Sequence, residues 1–301
     1  MTAAVHLLLA AAAVVTALLA CGSETPPEPT LSRVGCEVVA GGPPGPVPDP
    51  NGPYYHQVVA AHTSDGVTLS GGYQILDHAS VPDGVRLGDN TVLVYYVNGA
   101  DGGVFVARLL DDSAEVLGPI VLDGVTRPGR VVDPDAYLMP DGKVRLAYFS
   151  GFGPPGSTGP RAMCLAESED GTHFTVLGAA LPIAEGELLT DPSVVRLPDG
   201  SWRMAVSWGQ RTVLARSADG LAFERYDTLT YGGVPELGLT RDVRLRLYVC
   251  AQGIVSYTSA DGGASWQSEA TVVAPGTGGK RIICDPSLVA GAGRFIYKTA
   301  N

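Results

Sequence analysis

The chain has 301 residues, of which 45% are hydrophobic and 17% charged, enough for a sizeable core in one or two domains. Its formal net charge is −11, and no basic run or interleaved basic-aromatic stripe is present, which argues against nucleic acid as a partner. Gly (39) and Pro (23) are abundant and spread along the chain, and helical periodicity is missing after the N-terminus, so the pattern is that of an all-β protein rich in tight turns.

Residues 7–20 form an apolar run too short to span a bilayer comfortably, followed at once by Cys21. This reads as a signal peptide over residues 1–20. The tetrad Leu18-Leu19-Ala20-Cys21 resembles a bacterial lipobox, which implies lipidation of Cys21 and an exported lipoprotein, held on a membrane at the cell surface or the periplasmic face. The n-region carries no Lys or Arg. Residues 21–35 are polar and Pro-rich in their first part and read as a flexible tether, with the folded body expected over 36–301. Four cysteines remain there, Cys36, Cys164, Cys250 and Cys284, without metal-type spacing. An exported chain oxidises such thiols, and a Cys250–Cys284 disulfide is expected because Cys250 ends one strand where Cys284 begins the next.

Two repeats interleave through the body. The first is x-Pro-x leading into an apolar strand, a turn and a second strand; its prolines are Pro82, Pro134, Pro192, Pro235 and Pro286, spaced by 52, 58, 43 and 51 residues. Those spacings suit four-stranded blades, with Pro at the start of each inner strand. The second is a turn signature, found as Thr63-Ser64-Asp65-Gly66, Ser168-Glu169-Asp170-Gly171, Ser217-Ala218-Asp219-Gly220 and Ser259-Ala260-Asp261-Gly262. Gly supplies the positive φ, while Asp and Ser bind the turn amides. The last copy runs on to Ser265-Trp266 and resembles the complete Asp-box of sialidase-type propellers, a structural feature expected on outer hairpins away from the channel. Five units are counted, the first with only a degenerate hairpin at Leu110-Asp111-Asp112-Ser113. The chain ends after two strands of the fifth unit, and residues 54–77 supply two more. The expected fold is therefore a five-bladed β-propeller whose last blade is shared by the N- and C-terminal strands.

Residues two apart on a strand point the same way, so the positions flanking each Pro are expected to face the channel top together. They hold Asp83, Asp133, Asp135, Asp191, Glu236 and Asp285. Crowded carboxylates push some pKa values up, as an acid–base pair requires. The D-P-S strand starts and D-G turns resemble the arabinanase, levansucrase and invertase group, glycoside hydrolase family 43 above all. The resemblance implies a glycosidase and matches Asp285 (D-P-S) and Asp83 (V-P-D) to two of its acids and Asp133 to a third D-P strand start. With the channel-facing Asp135 and Glu236, Asp83 and Asp285 are the expected catalytic groups, an Asp activating water and Glu236, in V-P-E, donating the proton. The family's E-G-P motif is absent. Asp133, Asp191, Phe152, Trp208, Arg211 and Arg281 are the expected substrate contacts; Arg130, Arg211 and Arg281 also suit a carboxylated sugar, which keeps a sialidase-like enzyme open. Asp before Pro also has an architectural reading, as a turn cap. No cofactor is expected, although oxygen ligands around a pore suit Ca²⁺. Carbohydrate is the expected partner of a monomer, handled by an enzyme or by a non-catalytic binding or interaction propeller.

Overall fold

The computed structural model describes residues 30–36, 51–123, 131–151 and 160–301. Cys21, the segment expected to be a signal peptide, Arg130 and Phe152 lie outside the described residues. Among the described residues, twenty-one strands form five sheets around a central channel, antiparallel except where one short strand joins blade 2. Blade 1 comprises β3 (Ala79–Arg86), β4 (Val92–Asn98), β5 (Val104–Leu109) and β6 (Ala114–Pro119). Blade 2 runs β8 (Val132–Leu138), β9 (Val144–Phe149), β10 (Arg161–Ser168), β11 (His173–Ile183), with β7 (Val121–Asp123) added in parallel outside β11. Blade 3 holds β12 (Thr190–Arg196), β13 (Trp202–Trp208), β14 (Arg211–Ser217) and β15 (Glu224–Leu229). Blade 4 holds β16 (Glu236–Leu239), β17 (Leu245–Cys250), β18 (Ile254–Ser259) and β19 (Gln267–Val273).

The fifth blade closes the ring as expected. Its inner strands are β20 (Ile282–Val289) and β21 (Arg294–Ala300), and its outer strands are β1 (His56–Thr63) and β2 (Leu69–Asp77), in the order β2-β1-β21-β20. The closure is an unbroken antiparallel ladder from His56 opposite Ala300 to His62 opposite Arg294. Pairing the chain ends in this way removes two sheet edges.

Apolar side chains gather in five layers, one in each gap between neighbouring blades, rather than in a single core. Tyr95, Leu146, Tyr148 and Phe174 fill the gap between blades 1 and 2; Val58, Val94, Tyr96 and Ile296 fill that between blades 5 and 1. Each blade is thus stable only against its neighbours.

Two disulfides tie the ring. Cys250–Cys284 links blade 4 to blade 5, as expected, with Cα atoms 5.2 Å apart. Cys36–Cys164 fastens the N-terminal segment to β10. The last residues of the expected tether are docked: Ala179 donates its N–H to the Ser32 carbonyl at 2.7 Å, and Arg33 Nη2 donates to the Val176 carbonyl at 3.0 Å.

The prolines sit differently from expectation. In β3, β8, β12 and β20 the strand begins two to four residues before Pro, and its register slips across the x-Pro pair. The residue before each Pro has positive φ: Val81 46°, Asp133 55°, Asp191 50°, Val234 45° and Asp285 49°. Pro has no N–H to lose at such a bulge, and Asp tolerates the left-handed region better than most residues. For Val81 and Val234 the conformation is strained, since a β-branched side chain crowds the backbone there.

Candidate functional site

The bulge separates the two residues that flank each Pro, and so splits the expected carboxylate cluster into two levels. The channel has an entry face, where the inner strands begin, and an exit face, where they end. All six acids line a constriction of about 20 Å³; Asp133, Asp191 and Asp285, before Pro, do not border the cavity beyond it. Asp83, Asp135 and Glu236, after Pro, form the floor of a cavity of about 780 Å³ bounded by the second halves of the inner strands. That cavity belongs to the exit face; all six carboxylates share the constriction, as expected, and three of them also face the cavity beyond it. One turn expected to lie away from the channel, Thr63–Gly66, borders it.

At the exit level the five inner strands are clasped in a closed circle. Asp83 Oδ2 accepts the Ala136 N–H of the next blade at 2.6 Å, and Asp135 Oδ2 accepts the Val194 N–H at 3.0 Å. Ser193 Oγ accepts the Leu237 N–H at 2.9 Å, and Glu236 Oε1 accepts the Leu288 N–H at 3.1 Å. Ser287 Oγ accepts the Gly84 N–H at 3.0 Å, which completes the ring. Two hydroxyls stiffen it further: Ser287 donates to Asp83 Oδ1 at 2.7 Å and Ser193 donates to Glu236 Oε2 at 2.7 Å. Both serines occupy the position after Pro, where the other three blades have an acid.

The three acids of this ring are buried, and one oxygen from each lies within 4.8 Å of the others. Loss of water pushes Asp83 up to about 6, against the opposing pull of its hydrogen bonds. Burial, then the charges of Asp83 and Glu236, raises Asp135 well above the carboxylate range; burial and the Asp83 charge do the same for Glu236. The set therefore shares protons near neutrality. Its oxygens are also the hard donors that Ca²⁺ takes, but five of the six already accept hydrogen bonds, and protonation relieves the repulsion without displacing them.

The constriction holds a second, differently stabilised group. Lys298 Nζ lies 2.6 Å from Asp285 Oδ2, which also accepts the Val81 N–H at 3.1 Å. Asp133 Oδ2 accepts the Asp191 N–H at 3.3 Å, and Thr190 Oγ1 donates to Asp191 Oδ2 at 2.6 Å. Burial, then the neighbouring Asp191 charge, raises Asp133; burial, then Asp285, pushes Asp191 up to about 6. The Cys250–Cys284 disulfide adjoins this group, because the Asp285 N–H donates to Cys250 Sγ at 3.3 Å. Lys298, on the closing strand β21, carries no motif that sequence reading would single out.

The remaining expected contacts are on the entry face, across the constriction from the cavity. Trp208 is exposed at the end of β13, with the Arg211 guanidinium 5.6 Å from its ring centre. Arg281 is engaged in closure, donating to the Asn301 carbonyl at 3.3 Å and to Asn51 Oδ1 at 2.8 Å. Sequence reading missed the groups that border the cavity itself: Tyr137, Trp202, Arg86, Arg196 and Arg241.

No protein-family model matches the chain, and no curated protein matches it significantly. Solved structures do. An α-L-arabinofuranosidase of family 43 from Clostridium thermocellum superposes with a TM-score of 0.56 at 14% identity, covering 72% of this chain and 80% of its own. The family 43 endo-arabinanase of Bacillus licheniformis gives 0.55 at 14% identity, covering 70% and 85%. A protein of unknown function from Dyadobacter fermentans gives 0.54 at 17% identity, covering 84% and 85%. The chain is therefore a five-bladed β-propeller of the architecture found among family 43 glycoside hydrolases.

Proposed function

We propose that the protein is an exported glycoside hydrolase, lipid-anchored through Cys21, that cleaves a poly- or oligosaccharide at the exit-face cavity. One observation carries the reading: three carboxyls from three blades converge within 4.8 Å on the floor of a cavity of about 780 Å³, with their pKa values raised. Hydrolysis of a glycosidic bond needs one carboxyl that keeps its proton near neutral pH and one that gives it up. Glu236, raised well above its ordinary range, is the donor: its proton goes to the leaving oxygen as the C–O bond breaks. Asp83, at about 6, is the base that takes a proton from the water adding to the anomeric carbon. Asp135 holds the balance of charge between them.

Turnover on a panel of plant and bacterial oligosaccharides tests this. Asp83→Asn and Glu236→Gln are each expected to lose about 10²–10⁴ in turnover while melting cooperatively. Variants that react like wild type would remove the acids from catalysis.

A second reading, a non-catalytic carbohydrate-binding propeller, is favoured by the clasp: each of these acids already serves as the acceptor that joins its blade to the next. Under it, wild type binds glycans without releasing reducing ends, and binding does not follow a bell-shaped pH profile.

A further inference from the structure

The exit-face cavity does not end at its rim. A surface groove of about 690 Å³ between blades 1 and 5 shares Arg86 and Gly291 with it, so the two form one trough running outward from the channel. Six arginines border this trough and come from four blades: Arg86 and Arg108 from blade 1, Arg196 from the end of β12, Arg241 after β16 and Arg246 on β17, and Arg294 at the start of β21. No run of sequence announces the cluster; the ring assembles it.

The charge of these side chains is incompletely offset. Among the described residues, Arg196 and Arg241 make no ion pair; Arg196 instead spreads its guanidinium 5.8 Å from the Trp202 ring centre, inside the cavity. Arg86 is held by the neutral Asn90 side chain, and Arg294 by His62 with Asp111 at 3.9 Å. Arg108 has a close carboxylate, Glu115 at 3.2 Å, and Arg246 has Glu269 at 2.6 Å. Two acids that border the trough are turned into their own loops, Asp65 towards the Val67 and Thr68 amides and Asp89 towards the Thr91 amide. The arginines thus line the walls of the trough, while the acids Asp83, Asp135 and Glu236 are buried at its floor and Asp111 stands beside Arg294. Guanidinium forks match carboxylate and sulfate oxygens, two donors to two acceptors, in a way a single lysine does not.

We propose that the trough binds an acidic glycan, a chain bearing carboxylates or sulfates at successive sugars, with its reactive or terminal unit over Asp83, Asp135 and Glu236 and its anionic groups along the arginines. This rests on the exit-face cavity being the carbohydrate site and names the class of carbohydrate. Arg196 lies over the buried Trp202 ring, which holds its guanidinium at the cavity wall where a negative group on a sugar would meet it.

Calorimetric titration of the full-length protein with three probes of matched length separates the sources of charge: oligogalacturonate, a heparin-derived oligosaccharide, and neutral arabino-oligosaccharide. Either acidic probe, or both, is expected to bind at least about tenfold more tightly than the neutral one, with an affinity that falls as salt rises. The Arg196→Ala/Arg241→Ala double variant is expected to lose about tenfold for the acidic probe while its melting temperature holds, because both side chains are exposed. Arg294→Ala, at the far end, is expected to weaken long acidic oligomers more than short ones. Equal affinity for neutral and acidic probes, or a double variant that binds like wild type, would overturn the proposal. The two readings fail separately. Acidic oligomers bound but never cleaved would leave the trough standing and remove the hydrolase; neutral oligomers cleaved, with acidic ones ignored, would do the reverse.

Discussion

The outer turns and the inner strands both carry aspartate at repeated positions, and the two sets meet opposite surroundings. Asp170 lies on the outer turn after β10. The N–H groups of His173 and Thr172 and two hydroxyls outweigh its partial burial and hold it well below the ordinary range. Asp65, in the same place on the fifth blade, is drawn down to about 2, first by the Thr68 amide and then by that of Val67. Asp83 has hydrogen bonds as well, but it is buried and two further carboxyls share its site; burial wins and its pKa rises to about 6. The two environments lie close together: Tyr95, opposite Asp83 in the blade 1 ladder, donates its hydroxyl to the Gly171 carbonyl at 2.8 Å. What separates an architectural carboxylate from a chemically poised one here is the supply of donors against the loss of solvent, and position in the repeat decides both.

The largest effect expected concerns the ring that holds both sets in place. Deleting residues 54–77 removes β1, β2 and one outer turn, leaving β21 with an open edge and the layer between blades 5 and 1 without Val58, Ala60, Ile75 and Leu76. Loss of cooperative unfolding by circular dichroism or calorimetry is the expected result. A sharp melt after that deletion would mean that the inner carboxyls are held by something other than closure.

A smaller effect comes from pH, and the two sets predict opposite slopes. The inner acids have raised folded pKa values, so their contribution is full below the unfolded value near 4 and is lost as pH rises through about 6 for Asp83 and Asp191. The outer aspartates have lowered values, so theirs is present above about 4 and lost as pH falls towards about 2 for Asp65, discounted because these groups are exposed. The melting temperature should therefore peak near pH 4–5 and fall by roughly 5 °C or more by pH 8. Asp83→Asn, which keeps an acceptor for the Ala136 N–H, should flatten the alkaline side. An unchanged slope in that variant would show that Asp83 does not titrate in this range.

The blade number and the closure were legible because x-Pro-x and the S/T-x-D-G turns recur in phase, and because the chain stops two strands short of a complete blade. The Cys250–Cys284 pairing was legible from the same phase. The two levels of acid were not. Strand alternation brings all six acids to the constriction, but it does not foresee the positive φ before each Pro, nor that only Asp83, Asp135 and Glu236 go on to border the cavity. The architectural reading of Asp-Pro is supported by this conformation, yet the acids after Pro are equally architectural, since each receives an amide of the next blade. Arg86, Arg196 and Arg241 were invisible for a different reason: they lie far apart in the chain, Arg241 in a stretch shared with Arg244 and Arg246, and only the ring gathers them.

The smallest effect sharpens the comparison most directly. Asp170→Ala removes the acceptor for the Thr172 and His173 amides but leaves those amides exposed to water, so the loss is partial rather than that of a buried polar group. A fall in melting temperature of about 2–4 °C is expected. The turn also presents the Gly171 carbonyl to Tyr95, and Tyr95 adjoins the strand position of Asp83, so a loosened turn has a short route to the cavity floor. If architecture and chemistry are separate, glycan binding and turnover stay at wild-type levels in Asp170→Ala while stability drops. If both fall together, the Tyr95 link couples the outer turn to the inner ring, and the division between the two sets of carboxylates must be redrawn at Tyr95 rather than at the turn.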